Sequence, residues 1–187
     1  MTKSSSLSKV DWLEAALQVT AEEGIRAVSV EPLAKRLGVT KGSFYWHFKN
    51  RNELLTQLVA HWENIENDYE QKLRHESDGT QDFLRNVLSI LINDETNKRV
   101  FIALSRVNDN PTIQRSFQTA VERRLKLFRS AYASYGLTNT NLEKKAYATY
   151  FAYLGLIQSM LDGSLAALSN KQLNRLIRHI IDIAVDV

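Results

Sequence analysis

Cysteine is absent from the 187 residues, which excludes disulfides and thiolate metal sites and fits a reducing cytoplasm. Two prolines and seven glycines are too few for a turn-rich β fold, so long helices are the expected architecture. Apolar runs long enough to cross a bilayer are also missing: the longest stretch, residues 146–168, is broken by Gln158 and Asp162. The opening segment MTKSSSLSKVDW lacks the apolar core that a signal peptide needs. These absences lead us to expect a soluble, cytoplasmic, all-α protein. Enzyme chemistry finds no foothold either. There is no Gly-rich phosphate loop, no G-x-S-x-G, and no acid-plus-base motif that helix capping does not explain; Asp94, Glu95 and Asp162 read as loop and helix-end acids. The four histidines, His47, His61, His75 and His179, show no pairing at three or four residues, so neither a metal nor a cofactor is expected.

What remains is a chain with 44% hydrophobic residues, enough for a sizeable core, and a net charge of +3. That charge is unevenly placed. Residues 1–51 hold eight Lys or Arg against five acids, whereas the rest of the chain is balanced, so the whole excess lies at the N-terminal end. This is the sign a phosphate-facing module carries.

The stretch from Ser29 to Asn50, SVEPLAKRLGVTKGSFYWHFKN, reads as two short helices joined by a tight turn. In the first, Leu33, Ala34 and Leu37 share a face, Ser29 is placed to cap it, and Pro32 falls in the first turn, where its missing N–H costs nothing. Gly38 supplies the left-handed residue that ends it. The second helix is expected to start at Thr40 as N-cap, with Lys41, Gly42 and Ser43 in its exposed first turn. Phe44 and Phe48 are four apart and share a face, so they are expected to plug the core while Tyr45, Trp46 and His47 point elsewhere. Such an open face suits a DNA major groove, because Lys and Ser bond base edges and Tyr or Trp contacts a thymine methyl or a phosphate. Lys49 and Arg51 follow as cations for the phosphates. With Ser29, these residues form the candidate DNA-contacting set.

The run LAKRLGVTKGSFYWHFKNRNELL resembles the DNA-binding signature of the TetR family of bacterial transcriptional regulators, in which an aromatic pair followed by His and Phe closes the recognition helix. The likeness is close from about Leu13 to Trp62; beyond that it extends to length and helix layout only. It implies an N-terminal three-helix DNA-binding domain, residues 1–51, and a C-terminal helical domain for ligand binding and dimerisation, residues 52–187. About nine helices are expected in all.

Caps and periodicity place those helices. Ser8 to Asp11 forms a capping box for helix one, whose face of Leu13, Ala16, Leu17 and Thr20 runs to Gly24. Lys3 and Lys9 sit where a flexible arm would reach a groove or simply remain a solvated tail. Asn50 with Glu53 opens a long fourth helix through Leu54, Leu58 and Trp62 toward Leu73, and HESDGT, residues 75–80, is the clearest break. Helices are then expected over 81–93, over 99–107, and from Asn110-Pro111 to Gly136. Two more capping boxes are expected at Thr140 to Glu143 and Ser169 to Gln172. Between them residues 146–168 read as apolar nearly all round, without a solvent face.

Two surfaces follow. The residues Tyr153, Leu154, Ile157, Leu161, Leu173, Leu176, Ile177, Ile180 and Ile181 are candidates for a four-helix homodimer interface, which the family resemblance also implies; burial inside one monomer is the alternative. The resemblance further implies a small-molecule pocket in the C-terminal domain, whose occupation alters the spacing of two readers on a palindromic operator and releases double-stranded DNA. Trp62, Phe101, Phe117, Val121, Tyr147 and Phe151 are the candidate lining, with Arg106 or Asn108 as polar contacts, and an apolar effector is expected. An activator or an architectural DNA-binding protein would need the same reader and the same dimer.

Overall fold

The computed structural model describes residues 7–75 and 82–186, with the side chains of 72–75 and 82 excepted. Among the described residues the fold is all-α, with nine helices and no strand: α1 (Lys9–Glu23), α2 (Val30–Arg36), α3 (Lys41–Phe44), α4 (Arg51–His75), α5 (Asp82–Asn93), α6 (Glu95–Ser105), α7 (Pro111–Ser134), α8 (Asn139–Leu161) and α9 (Asn170–Val185), plus one 3-10 turn at Ile25–Ala27. Lys3, and the break expected over 75–80 once past His75, lie outside the described residues.

Caps account for most of the boundaries. Ser8 and Asp11 bond reciprocally at the start of α1, and Ser169 and Gln172 do the same at α9, each pair satisfying two N–H groups that no helical carbonyl reaches. Asn50 accepts from the Glu53 N–H at 3.0 Å while the Glu53 carboxylate takes the Lys49 N–H at 2.8 Å, which fixes the entry to α4. Asn110 caps α7 through the N–H groups of Thr112 and Ile113, at 3.1 and 3.2 Å.

Three boundaries depart from the expectations. Helix α6 begins at Glu95 rather than Arg99, because the Asp94 carboxylate accepts the Asn97 N–H at 2.9 Å and acts as a cap instead of a loop acid. The box at Thr140 does not form; α8 starts at Asn139, and Glu143 is taken by Arg129 at 2.8 and 3.0 Å. Finally, α8 stops at Leu161, where Asp162 caps it and Gly163 adopts φ +82°, so residues 162–168 are turns and not helix.

The chain divides into two compact units, Met1–Ile65 with Arg99–Phe117, and Glu66–Lys98 with Gln118–Val187. In the first unit Trp12, Leu33, Phe44, Leu54 and Phe101 are fully buried. In the second, α5 packs on α8 and α9, which pack on one another. This second core carries polar groups. The Tyr132 hydroxyl, wholly buried, donates to the Ala184 carbonyl at 2.7 Å and bonds Thr149, joining α7, α8 and α9, and burial holds its ionisation above the usual range. Glu66 receives Arg124 at 3.0 Å and also the Asn97 amide, with both charged side chains almost without exposure.

Replacing Tyr132 by Phe leaves the buried Ala184 carbonyl short of its donor and is expected to cost about 1–3 kcal/mol in urea unfolding. An unchanged midpoint would show that this carbonyl finds another donor.

Candidate functional site

The reader segment is built on an aromatic anchor. Phe44 and Phe48 stack at 5.2 Å between centroids, and Trp12 of α1 meets Phe44 edge-on at 5.4 Å, with all three rings excluded from solvent. Edge-to-face contacts of this kind stabilise beyond the area they bury. Gly38, at φ +69°, turns the chain from α2 toward α3, a conformation that side chains with a Cβ resist. The bidentate Arg36–Glu22 pair, at 2.7 and 2.8 Å, ties α2 to α1 and holds the Glu22 carboxyl below its ordinary range.

Helix α3 is only four residues long, shorter than expected, but its winding continues as tight turns: the N–H groups of Tyr45, Trp46 and His47 reach back three residues to the carbonyls of Gly42, Ser43 and Phe44. With Phe44 and Phe48 facing inward, the alternate positions are forced outward. Tyr45 is 63% and Trp46 88% exposed, among the most exposed large hydrophobic side chains described. Lys41 and Gly42 are exposed beside them, and Ser43 and His47 are half-buried. Lys41 pairs with Glu31 at 2.8 Å, both side chains being largely exposed, so the pair is worth little and yields readily to a stronger anion.

Other candidates behave differently. Ser29 and Thr40 occupy N-cap positions in extended backbone, but neither side chain makes the capping bond, so their hydroxyls do not have the role expected of them. Lys49 is exposed. Arg51 is half-buried and gives its guanidinium to backbone: Nε to the Val28 carbonyl at 2.6 Å, Nη2 to those of Arg26 and Ile25 at 3.3 and 3.4 Å. The expectation of a phosphate-facing cation at this position is not what the geometry shows.

The six candidates for an effector pocket fall in different units. Trp62, Phe101 and Phe117 belong to the first, where Phe101 lies 6.5 Å from Trp62 and 4.9 Å from Phe117, and the first two are buried as core; Arg106 and Asn108 are exposed in the same unit. Val121, Tyr147 and Phe151 belong to the second, and Tyr147 and Phe151 stack on each other in solvent, 40% and 61% exposed. Two open cavities of the second unit are lined by none of the six. One, of about 370 Å³, lies between α8 and α9 and is lined by Tyr132, Lys145, Ala148, Thr149, Ala152, Ile180, Ile183 and Ala184. Its neighbour, of about 450 Å³, is bordered by Leu137, Asn141, Lys144, Lys145 and Ala148.

Of the interface candidates, Tyr153, Ile157, Ile177 and Ile181 are buried within their own unit, while Leu154, Leu161, Leu173, Leu176 and Ile180 are half-buried. The exposed apolar side chains on these helices are Tyr147, Phe151 and Ile183, beside Ala148, Ala152 and Gly155, also exposed. Spacing hinted at this stripe: small residues recur at i, i+4 and i+7 along α8, next to two aromatics four apart.

Residues 13–58 match the family model described as bacterial regulatory proteins, tetR family. Over this segment the chain is a TetR-family N-terminal domain. An AcrR transcriptional regulator of Shigella flexneri is 33% identical over 81 residues, 43% of this chain and 36% of that protein. The class D tetracycline repressor of Escherichia coli is 32% identical over 80 residues, with the same shares of the two chains. The chain thus spans little more than a third of these curated relatives. Over 94% of each chain the protein has the fold of a putative transcriptional regulator from Saccharomonospora viridis, solved in complex with choline, at a TM-score of 0.77 and 16% identity. Among the described residues no helix is long and apolar enough to cross a membrane.

The aromatic anchor is open to a stability test. Phe44→Ala should cost about 3–5 kcal/mol in urea unfolding, whereas Trp46→Ala should stay within about 0.5 kcal/mol of wild type. Equal effects would mean that the two rings share the load and the anchor is misassigned.

Proposed function

We propose that this protein is a TetR-family, sequence-specific, DNA-binding transcriptional regulator, a repressor that works as a homodimer on a palindromic operator and is released by a small apolar effector. The observation that carries the DNA-binding role is the outward presentation of Lys41, Tyr45 and Trp46 over a locked aromatic anchor. A monomeric soluble surface has no use for a tryptophan 88% exposed beside a lysine and a tyrosine, whereas a major groove offers thymine methyls, base edges and phosphates to all three. Gly42 keeps the approach to the groove open, Ser43 and His47 border it, and Lys49 supplies a phosphate contact. Thr40 and Ser29, at the N-caps of two short helices, would offer backbone N–H groups to phosphates.

One reader of this size spans only a few base pairs, so two-fold pairing is part of the mechanism and a palindromic site follows from it. The apolar stripe of α8 and α9 supports that pairing: Tyr147, Phe151 and Ile183, with the small residues Ala148, Ala152 and Gly155, form a face that a second copy would cover, with half-buried Leu176 and Ile180 alongside. Effector control requires a ligand whose affinity differs between the DNA-competent and DNA-released states. The apolar interior of each unit and the family's domain plan support that reading.

Genome-wide capture of bound fragments, followed by titration of the recovered site at several salt concentrations, tests the proposal. A short palindrome upstream of a few operons is the expected result. Broad recovery without sequence preference would replace it with phosphate-driven, architectural binding. On the recovered site Tyr45→Ala is expected to cost about 1–3 kcal/mol, and Lys49→Ala to lower the salt slope by about one. Sedimentation at micromolar concentration should give a dimer for the wild type and a monomer for Phe151→Glu; a Phe151→Glu dimer would remove this stripe from the interface.

A further inference from the structure

The guanidinium of Arg51 gathers three main-chain carbonyls that lie 23 to 26 residues earlier in the chain. These carbonyls belong to the short 3-10 turn and to the residue that follows it, just before α2 begins at Val30. Ile25 and Val28 are buried there, at 4% and 0% exposure, so the turn is pinned by its side chains; the Ile25 carbonyl already takes the Val28 N–H at 3.3 Å, whereas the Val28 carbonyl faces Pro32, which has no N–H to give. The Val28 carbonyl takes the shortest of the three bonds, 2.6 Å, from Nε. Arg51 is also the first residue of α4, where the aligned peptide dipoles oppose a cation. Three carbonyl oxygens offset that penalty, and a planar fork reaches them in a way a lysine ammonium does not.

We infer that Arg51 is a positioning residue for the reader. It ties the first turn of α4 to the segment that launches α2, and so sets where the helix-turn-helix stands. This rests on the DNA-binding reading above and deepens it, because the place expected for this side chain from the sequence is on a phosphate. Reaching a phosphate would strip the Val28 carbonyl, on a residue with no exposure, of its donor. The two roles differ in what they predict: a phosphate contact adds to the salt dependence of binding, whereas a positioning contact changes affinity without changing the number of phosphates neutralised.

The test uses the full chain and two variants, Arg51→Met and Arg51→Lys, titrated on the recovered operator at several salt concentrations, with amide hydrogen exchange read over peptides spanning 24–40. Arg51→Met is expected to weaken operator binding about tenfold with the wild-type salt slope, and to speed exchange over 24–40 while α1 keeps its protection. Arg51→Lys, which keeps the charge but not the fork, should fall between wild type and Met in both readings, and it serves the test should Arg51→Met fail to fold. A salt slope lower by about one, with exchange over 24–40 unchanged, would overturn the inference and return Arg51 to the phosphates. Unchanged exchange overturns it whatever the DNA result. A wild-type chain that bound no duplex at all would defeat the DNA-binding reading instead, while the exchange comparison would still report on the tie itself.

Discussion

The contact on which the functional end of this molecule depends is the edge-on meeting of Trp12 and Phe44. It lies at the meeting of α1 with α3, and Phe48 stacks behind it. An isolated helix of four residues has no stability of its own, since nucleation costs more than one or two hydrogen bonds return. Helix α3 therefore exists because Phe44 at its end and Phe48 just beyond it are buried, each contributing roughly 1.5–3 kcal/mol of transfer free energy. The same burial decides the direction of everything between them. With positions 44 and 48 turned inward, helical geometry leaves Tyr45 and Trp46 no course but outward, and their exposure is the other side of the anchor's burial.

Polar contacts then set orientation where apolar packing is indifferent to it. Arg36 with Glu22 fixes α2 on α1, and Arg51 holds the turn that precedes α2. In the second unit Tyr132 joins α7 to α8 and α9. There too, Glu66, Arg124 and Asn97 form a buried network. Buried ion pairs are poor evidence of stability, because desolvation consumes most of the Coulombic gain. Their role is better understood as selecting one packing arrangement, since removing either partner strands a charge in the core.

Much of the fold was legible in the sequence because caps and periodicity are local. Ser8 with Asp11, Ser169 with Gln172, and Asn110 before Pro111 each form the contacts their spacing implies. The inward face of Phe44 and Phe48 was legible for the same reason. The errors share a different cause. Thr140 and Glu143 have the spacing of a capping box, but Arg129, from another helix, claims the carboxylate. Asp94 looked like a loop acid until the chain direction after α5 made it the cap of α6. The apolar run after Ala146 reads as uniform, and no local rule separates Tyr153, which is buried, from Phe151, which is not.

By itself, then, the sequence determined the helical class, the two-helix reader with its glycine turn, and the family likeness carried by residues near 13–58, because each rests on spacings within a few residues. Only the tertiary structure decided which residues of α8 remain outside, which candidate pocket residues belong to which compact unit, and that Arg51 faces backbone carbonyls. Those outcomes depend on groups tens of residues away. An arginine at the start of a helix is equally compatible with a phosphate and with three carbonyls, and the choice is made by the buried turn folded against it.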